Sequence, residues 1–345
     1  MLADIQQLIA PELERYKAIF RSALQADNEL LAAALTHLTR KLGKMMRPTL
    51  VILCAREGGA VTDEVLHAAA GLEMLHTASL VHDDVIDESA MRRGQRSVNA
   101  LFDNKAAVLV GDFITSKALT EVALTHRLEV VSRMALLGQT LADGELLQLN
   151  NTHSTVFSEQ AYYQVIAKKT AILFETCAYA GALLGGADAD TIQRLERFAH
   201  LVGLCFQMRD DIFDFDESLN VGKPKGNDLQ EGKLTLPVLY ALNQELSSLN
   251  PQPSTLNPQP STLNPQPSTL NHFGRLAMRV RALEASRLEI QELVDFTLQS
   301  GGIAYAESEM QRLANEARTL LSDLRDPAVA HALNLYLDYV INRTL

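Results

Sequence analysis

The chain has 345 residues, of which 47% are hydrophobic and 21% charged, and its formal net charge is −11. This composition is typical of a globular protein with a sizeable core. The acidic balance argues against a nucleic-acid-binding surface, because phosphate backbones are bound by basic faces. The three cysteines are widely spaced in apolar helical segments, which favours buried thiols over a zinc site.

The amino-terminal segment carries acidic residues where a secretion signal needs basic ones. No apolar run reaches the length of about 18 residues that a membrane-spanning helix requires. We therefore expect a cytoplasmic protein without a transmembrane segment.

Apolar residues recur with helical periodicity along almost the whole chain. Sustained alternation of β-branched residues, the mark of strands, is not found. The sequence therefore predicts an all-α fold, a multi-helix bundle in one domain spanning residues 1–345. Helices are predicted over residues 2–24, 27–42, 48–58, 63–87, 105–125, 128–152, 158–184, 188–218 and 234–245, and again from 272 to the end with a break at Gly301-Gly302.

Residues 250–271 depart from this pattern. They repeat NPQPSTL three times and hold six of the eleven prolines. Proline at this density prevents a helix. The segment is predicted to be a surface-loop insertion, with a docking or spacer segment as the alternative.

Two apolar helical segments carry three aspartates each, with identical spacing. On a helix, residues four apart share a face, so the outer members of each set point the same way. Two like charges about 4 Å apart repel by roughly 4 kcal/mol at an effective dielectric near 20. Such sets predict a bound cation, and hard oxygen ligands suit magnesium. The predicted metal ligands are Asp83, Asp84, Asp87, Asp210, Asp211 and Asp214.

Cationic residues accompany these acidic sets, and their side chains suit phosphate oxygens. Each group has a structural explanation of its own, such as a core histidine, a salt-bridged helix cap or a snorkelling lysine pair. Their joint occurrence favours a site for a phosphorylated ligand. The groups are Lys44 with Arg47, His76 two turns before the first aspartates, Arg92 with Arg93, Lys168-Lys169-Thr170, and Lys223, Lys225 and Lys233 in a glycine-punctuated loop.

A di-iron site is an alternative, because Glu64-x-x-His67 and Glu73-x-x-His76 both have the spacing of di-iron ligands. The two motifs share one helix and lie about 180° apart around it. They cannot converge on one metal pair, so this alternative is rejected.

Taken together, the motifs resemble the trans-isoprenyl diphosphate synthase family, and within it the long-chain, octaprenyl-type polyprenyl diphosphate synthases. The resemblance covers most of the chain outside residues 250–271. It implies an isoprenoid-synthase-type bundle around a deep central cavity, and a homodimer. The motifs, in family order, are GKMMRP at 43–48, LHTASLVHDDVIDESAMRRG at 75–94, GDF from Gly111, KT from Lys169, FQMRDDIFD at 206–214 and GKPKGNDLQEGKLTLP at 222–237.

The resemblance also implies roles for individual residues. The six aspartates would coordinate three Mg²⁺ ions that bridge to an allylic diphosphate, with Asp214 the weakest member. The allylic diphosphate would contact Arg92, Lys169, Thr170, Gln207 and Lys233, with Lys223 nearby. Isopentenyl diphosphate would be held by Lys44, Arg47, His76 and Arg93.

The implied reaction joins isopentenyl diphosphate head-to-tail onto geranyl, farnesyl or geranylgeranyl diphosphate. Magnesium assists departure of the allylic diphosphate, the double bond attacks the carbocation, and a proton is lost. Ala78 and Ser79 lie one turn before Asp83 and are small, where short-chain relatives carry aromatics. The predicted product is therefore a long all-trans polyprenyl diphosphate, between hexaprenyl and decaprenyl, with octaprenyl central.

Two other functions share part of this pattern. A terpene cyclase would replace the second aspartate set with an Asn/Ser/Glu triad and would need no isopentenyl diphosphate site. A non-catalytic partner subunit would be free to lose its acids and cations. This chain keeps both sets, which favours the synthase.

Overall fold

The structure is a computed structural model that describes residues 1–40, 43–92, 94–152, 154–215, 226–249 and 270–343. Helix dominates these ranges, so the all-α prediction is confirmed. Arg93, Lys223, Lys225 and residues 250–269 of the proline-rich repeat lie outside the described residues, and the expectations for them stay predictions.

The amino-terminal helices precede and follow one short hairpin. Its strands, β1 (Met91–Arg92) and β2 (Gln95–Arg96), are antiparallel. Strands of two residues produce no detectable alternation, which is why the sequence did not predict them. The helices are α1 (Leu2–Leu8), α2 (Ala10–Ala23), α3 (Glu29–Thr39), α4 (Met46–Gly58), α5 (Asp63–Ile86), α6 (Val98–Phe102), α7 (Asn104–Ala123) and α8 (Leu128–Thr152).

The remaining helices complete the chain. A π-helical turn, Ala167–Ala171, joins α9 to α10. The helices are α9 (Glu159–Ile166), α10 (Ile172–Gly185), α11 (Ala189–Phe213), α12 (Asn227–Gln230), α13 (Leu236–Leu249), α14 (His272–Arg281), α15 (Arg287–Gln299), α16 (Gly302–Thr319) and α17 (Pro327–Asn342).

Two predicted helices are divided in the structure. The helix expected over 2–24 breaks at Ile9, whose φ of −120° and ψ of 24° are not helical. Pro11 explains the break, because it cannot donate the backbone hydrogen bond of a continuous helix. The helix expected over 158–184 contains the π turn, where α11 approaches closely: a Cβ on Gly203 would lie 2.5 Å from Ala171 Cα.

The chain forms two compact units. The first comprises Met1–Gln139, Leu173–Ala199 and Arg318–Leu337, and the second Thr140–Ile172, His200–Ala317 and Asp338–Leu345. Each unit buries an apolar core, with Leu50 and Leu72 fully buried in the first and Val202 and Leu293 in the second. The prediction of a single domain over residues 1–345 stays a prediction.

Helices α5 and α7 pack closely in the first unit. A Cβ on Gly71 would lie 2.5 Å from Val122 Cγ2, and one on Gly111 would collide with the His82 ring. This packing anchors the carboxyl end of α5, where the first aspartate set lies. No helix in the described part of the chain combines the length and apolarity needed to span a membrane.

Candidate active site

The first aspartate set lies at the carboxyl end of α5. Asp84 is buried, whereas Asp83 is half-buried and Asp87, the residue that ends the helix, is exposed. Asp84 Oδ1 accepts a 2.8 Å hydrogen bond from Arg92 Nε, and Arg92 Nη2 lies 2.5 Å from the same atom. Asn99 Nδ2 donates to the Asp84 carbonyl oxygen over 3.0 Å. The hairpin therefore holds the middle carboxylate and leaves the outer two on the more open face.

The second aspartate set lies at the end of α11, and its middle member is again the buried one. Asp211 Oδ2 accepts a 2.6 Å hydrogen bond from Tyr162 Oη, and its Oδ1 accepts one of 2.9 Å from Gln207 Nε2. Burial raises the pKa of Asp211 to about 7, although these two hydrogen bonds lower it. Both oxygens of this carboxylate are therefore engaged by neutral donors.

The outer members of the second set have different partners. Asp210 Oδ1 lies 2.5 Å from Arg343 Nη2, and the Asp210 side chain is 36% exposed. Asp214 Oδ1 accepts from the backbone N–H of Asn227 over 2.9 Å, and its Oδ2 from that of Asp228 over 3.1 Å. Asp214 thus fastens the short helix α12 to the end of α11, while Asp210 is the accessible carboxylate.

The π turn carries the predicted lysine pair. The Lys169 ammonium pairs with Glu145 and donates to Gln148 Oε1 over 3.0 Å. Thr170 Oγ1 donates to Gln207 Oε1 over 2.7 Å. The π turn therefore joins the lysine of the KT motif to the helix of the second aspartate set. Such turns are frequent at functional sites.

Lys233 follows the short helix α12. Its Nζ lies 2.6 Å from Glu231 Oε2, and its backbone N–H donates to the Asp228 carbonyl over 2.8 Å. The Lys233 side chain is partly exposed, and its ammonium is paired with the Glu231 carboxylate.

The predicted isopentenyl diphosphate residues that the structure describes all lie in the first unit. Lys44 is exposed, and Arg47 follows it near the start of α4. Arg47 Nη1 lies 3.9 Å from Glu73 Oε2, and the guanidinium lies 5.6 Å from the centre of the Phe174 ring. His76 is half-buried on α5. Burial against Glu73 and Phe174 restricts the directions that Arg47 can take.

The first unit also contains a cavity of about 70 Å³ beside Asp84 and Arg92. From α5 it is lined by Glu73, Thr77, Leu80, Val81 and Asp84. The predicted chain-length residues are not part of this lining. Ala78 is buried, and Ser79 Oγ donates to the His76 carbonyl over 2.9 Å. Their effect on product length therefore stays a prediction.

Among the described residues, no group of three or more His, Cys, Asp or Glu side chains is already arranged around one metal position. Magnesium is commonly bound by one or two carboxylates together with water and substrate phosphates, without an all-protein cage. The accessible carboxylates of Asp83, Asp87 and Asp210 fit that mode of binding.

Several partners in the site were not predicted. Tyr162 and Asp211 are 49 residues apart, and Asp210 and Arg343 are 133 apart, so no local pattern links them. The closest sequence signal is the position of Tyr162 seven residues before Lys169, which would place the two on one face of a regular helix.

Comparison with known proteins identifies the family. The polyprenyl synthetase family model matches residues 28–255. Octaprenyl diphosphate synthase from Haemophilus influenzae is 39% identical over 240 residues, covering 69% of this chain and 73% of that protein.

Solved structures with the same all-α fold are also similar. Geranylgeranyl pyrophosphate synthase from Bacteroides thetaiotaomicron is 40% identical with a TM-score of 0.80, and 98% of each chain is covered. Polyprenyl synthase from Caulobacter crescentus, in complex with calcium and isoprenyl diphosphate, is 27% identical with a TM-score of 0.86, covering 99% of this chain and 98% of that one. The chain therefore belongs to the polyprenyl synthetase family, whose enzymes elongate prenyl diphosphates in the trans configuration.

Proposed function

We propose that the chain condenses isopentenyl diphosphate head-to-tail onto an allylic diphosphate to give a long all-trans polyprenyl diphosphate. The observation that carries the proposal is the shared design of the two aspartate sets. In each, the middle carboxylate is buried and hydrogen-bonded, while an outer carboxylate is more exposed. That arrangement suits a diphosphate held through divalent cations.

We assign different tasks to the six aspartates. Asp83, Asp87 and Asp210 are proposed to contact Mg²⁺ directly, because their carboxylates are the accessible ones. Asp84 and Asp211 are proposed to support them because both side chains are buried, and Asp214 because both of its oxygens accept backbone hydrogen bonds from α12. Bound magnesium, three ions in the prediction, would neutralise charge on the departing diphosphate. Calcium and isoprenyl diphosphate in the Caulobacter complex support a divalent cation at such a site.

The cations are proposed to hold the two diphosphates. Arg92, Lys169, Thr170, Gln207 and Lys233 would contact the allylic diphosphate, and Lys44, Arg47 and His76 would contact isopentenyl diphosphate. Lys169 is positioned in advance by Glu145 and Gln148, so little reorganisation is needed as charge develops on the leaving group. The two predicted sets are completed by Lys223 for the allylic diphosphate and by Arg93 for isopentenyl diphosphate.

Product length is proposed to depend on Ala78 and Ser79. The relatives named above make products of different length at nearly the same identity, so similarity does not decide it. We expect Ala78→Phe and Ser79→Phe to shorten the product, as measured by sizing the dephosphorylated chains. Leu288→Phe is the control, because Leu288 is 83% exposed on α15 and adds the same aromatic ring at a surface position, so it should leave length unchanged. Phenylalanine at 78 or 79 without shortening would contradict the assignment.

The activity itself is tested by incubating the purified protein with Mg²⁺, labelled isopentenyl diphosphate and one allylic primer at a time. Geranyl, farnesyl and geranylgeranyl diphosphates are the primers. The expected result is a ladder of products that ends at one long chain. Absence of incorporation with all three primers, from folded protein, would contradict the proposal and favour a non-catalytic subunit.

A homodimer in the cytoplasm is also part of the proposal. Val108 and Leu119 are eleven residues apart on one face of α7 and are 41% and 46% exposed. Leu109, next to Val108, is 66% exposed. Such apolar residues suit an interface between subunits. Sedimentation should give twice the chain mass of 38.0 kDa, and Leu109→Glu should reduce it to that of one chain.

A further inference from the structure

A chain of hydrogen bonds connects three elements of the second unit. Tyr162 Oη on α9 donates to Asp211 Oδ2 on α11 over 2.6 Å. Gln207 Nε2 donates to the other oxygen of that carboxylate over 2.9 Å, and Thr170 Oγ1 of the π turn donates to Gln207 Oε1 over 2.7 Å. The four side chains therefore form one continuous path from α9 through α11 to the π turn.

Tyr162 and Asp211 are both buried, so loss of the hydrogen bond between them carries a free-energy cost. Tyr162 is 7% exposed and Asp211 4%. A buried hydroxyl and a buried carboxylate each need a partner, because leaving one unsatisfied costs its desolvation free energy. Tyr162 therefore fixes the position of Asp211, and Asp211 in turn fixes the amide of Gln207.

Two residues of the proposed active site are sequence neighbours of this path. Asp210 directly precedes Asp211, and Lys169 directly precedes Thr170. The path therefore restrains residues that adjoin both active-site side chains along the chain. We propose that Tyr162 is a positioning residue, an inference that rests on the proposed function. Its hydroxyl, acting through Asp211, Gln207 and Thr170, aligns Asp210 and Lys169 toward the metal-bound diphosphate.

The adjacent tyrosine provides a matched control. Tyr163 Oη donates to Glu309 Oε2 over 3.5 Å, at the limit of hydrogen bonding, and the side chain is only half-buried. Tyr163→Phe removes the same single atom one residue away, without touching the path.

The test compares Tyr162→Phe with Tyr163→Phe and the wild type. Calorimetry measures binding of inorganic pyrophosphate in the presence of Mg²⁺, which requires no turnover, and kinetics give kcat and both KM values. We expect Tyr162→Phe to weaken pyrophosphate binding and to lower kcat by about 10- to 100-fold, the usual cost of removing a group that orients a metal ligand. KM for isopentenyl diphosphate should stay within about twofold, because its proposed contacts lie in the first unit. Tyr163→Phe should match the wild type.

A purely structural role gives a different result. If Tyr162→Phe lowers the melting temperature but binds pyrophosphate and turns over like the wild type, the proposal is overturned. Should that variant fail to fold, Thr170→Val cuts the same path at its other end and must weaken pyrophosphate binding. If the wild type binds pyrophosphate with Mg²⁺ yet elongates no primer, the proposed function fails, while the pyrophosphate comparison still decides the role of Tyr162.

Discussion

The two aspartate sets share one sequence pattern but support it by different chemistry. In the first, the buried middle carboxylate of Asp84 is paired with a cation, Arg92. In the second, the buried middle carboxylate of Asp211 accepts from neutral donors, Tyr162 and Gln207, and burial raises its pKa to about 7. The spacing in the sequence therefore determines which carboxylates face outward, whereas the tertiary partners determine the pKa and the charge environment of the buried middle carboxylate.

The largest expected effect separates outer from middle carboxylates. Asp83→Asn, Asp87→Asn and Asp210→Asn should each lower kcat/KM by about 10³-fold or more, because a lost metal ligand removes several kcal/mol of transition-state stabilisation. Asp84→Asn and Asp211→Asn should cost about 10- to 100-fold, since they only orient the ligands. Steady-state kinetics at saturating Mg²⁺ measure these losses. A larger loss of kcat/KM in Asp84→Asn or Asp211→Asn than in the outer variants would contradict the assignment.

The cation of the first set should matter for stability as well. Arg92→Gln leaves the buried Asp84 carboxylate without its charged partner. Because Arg92 is itself 38% exposed, solvent screens part of the loss, and we expect about 1–3 kcal/mol in the free energy of unfolding. Arg127→Gln, which removes an exposed pair with Glu129, is the control and should cost less than about 0.5 kcal/mol. Equal losses in denaturant titrations would contradict a special role for Arg92.

The support of the second set is tested at Gly203, four residues before Gln207. A Cβ there would lie 2.5 Å from Ala171 Cα, so Gly203→Ala must displace the π turn. We expect about 1–3 kcal/mol of destabilisation, together with weaker pyrophosphate binding. Gly138→Ala is the control: apart from the backbone of its own helix and its chain neighbours, no described atom lies within 4 Å of the added Cβ, and the change should stabilise α8 by about 0.5–1 kcal/mol. If Gly203→Ala changes neither the free energy of unfolding nor pyrophosphate binding, the close contact of α11 with the π turn does not support the second set.

The smallest expected effect is a gradual pH dependence in metal-free protein. The pKa of Asp211 is raised to about 7 in the folded state, above the unfolded value of about 3.9. Between these values the folded protein binds the proton more tightly than the unfolded chain does, so this group's contribution to stability falls as the pH rises from about 4 to 7. The free energy of unfolding of the wild type minus that of Asp211→Asn, both measured in EDTA, should therefore be larger at pH 5 than at pH 8. The opposite trend would contradict the raised pKa.

Local features of the site were predictable from the sequence, and long-range ones were not. Both sets begin on predicted helices, because helical periodicity is a property of neighbouring residues, although α11 ends at Phe213 and not at the predicted residue 218. The π turn was missed because it depends on the close approach of Gly203 from another helix. The contacts of Asp211 with Tyr162, and of Asp210 with Arg343, were missed because tertiary packing alone brings these residues together.

The division of labour within the second set is tested most directly by calorimetric titration of Mg²⁺ and inorganic pyrophosphate into three proteins: the wild type, Asp210→Asn and Asp211→Asn. We expect Asp210→Asn to abolish the binding heat. Asp211→Asn should retain binding, with an affinity reduced by about 10- to 100-fold. Loss of binding in Asp211→Asn with retention in Asp210→Asn would contradict the assignment of the accessible carboxylate as the metal ligand.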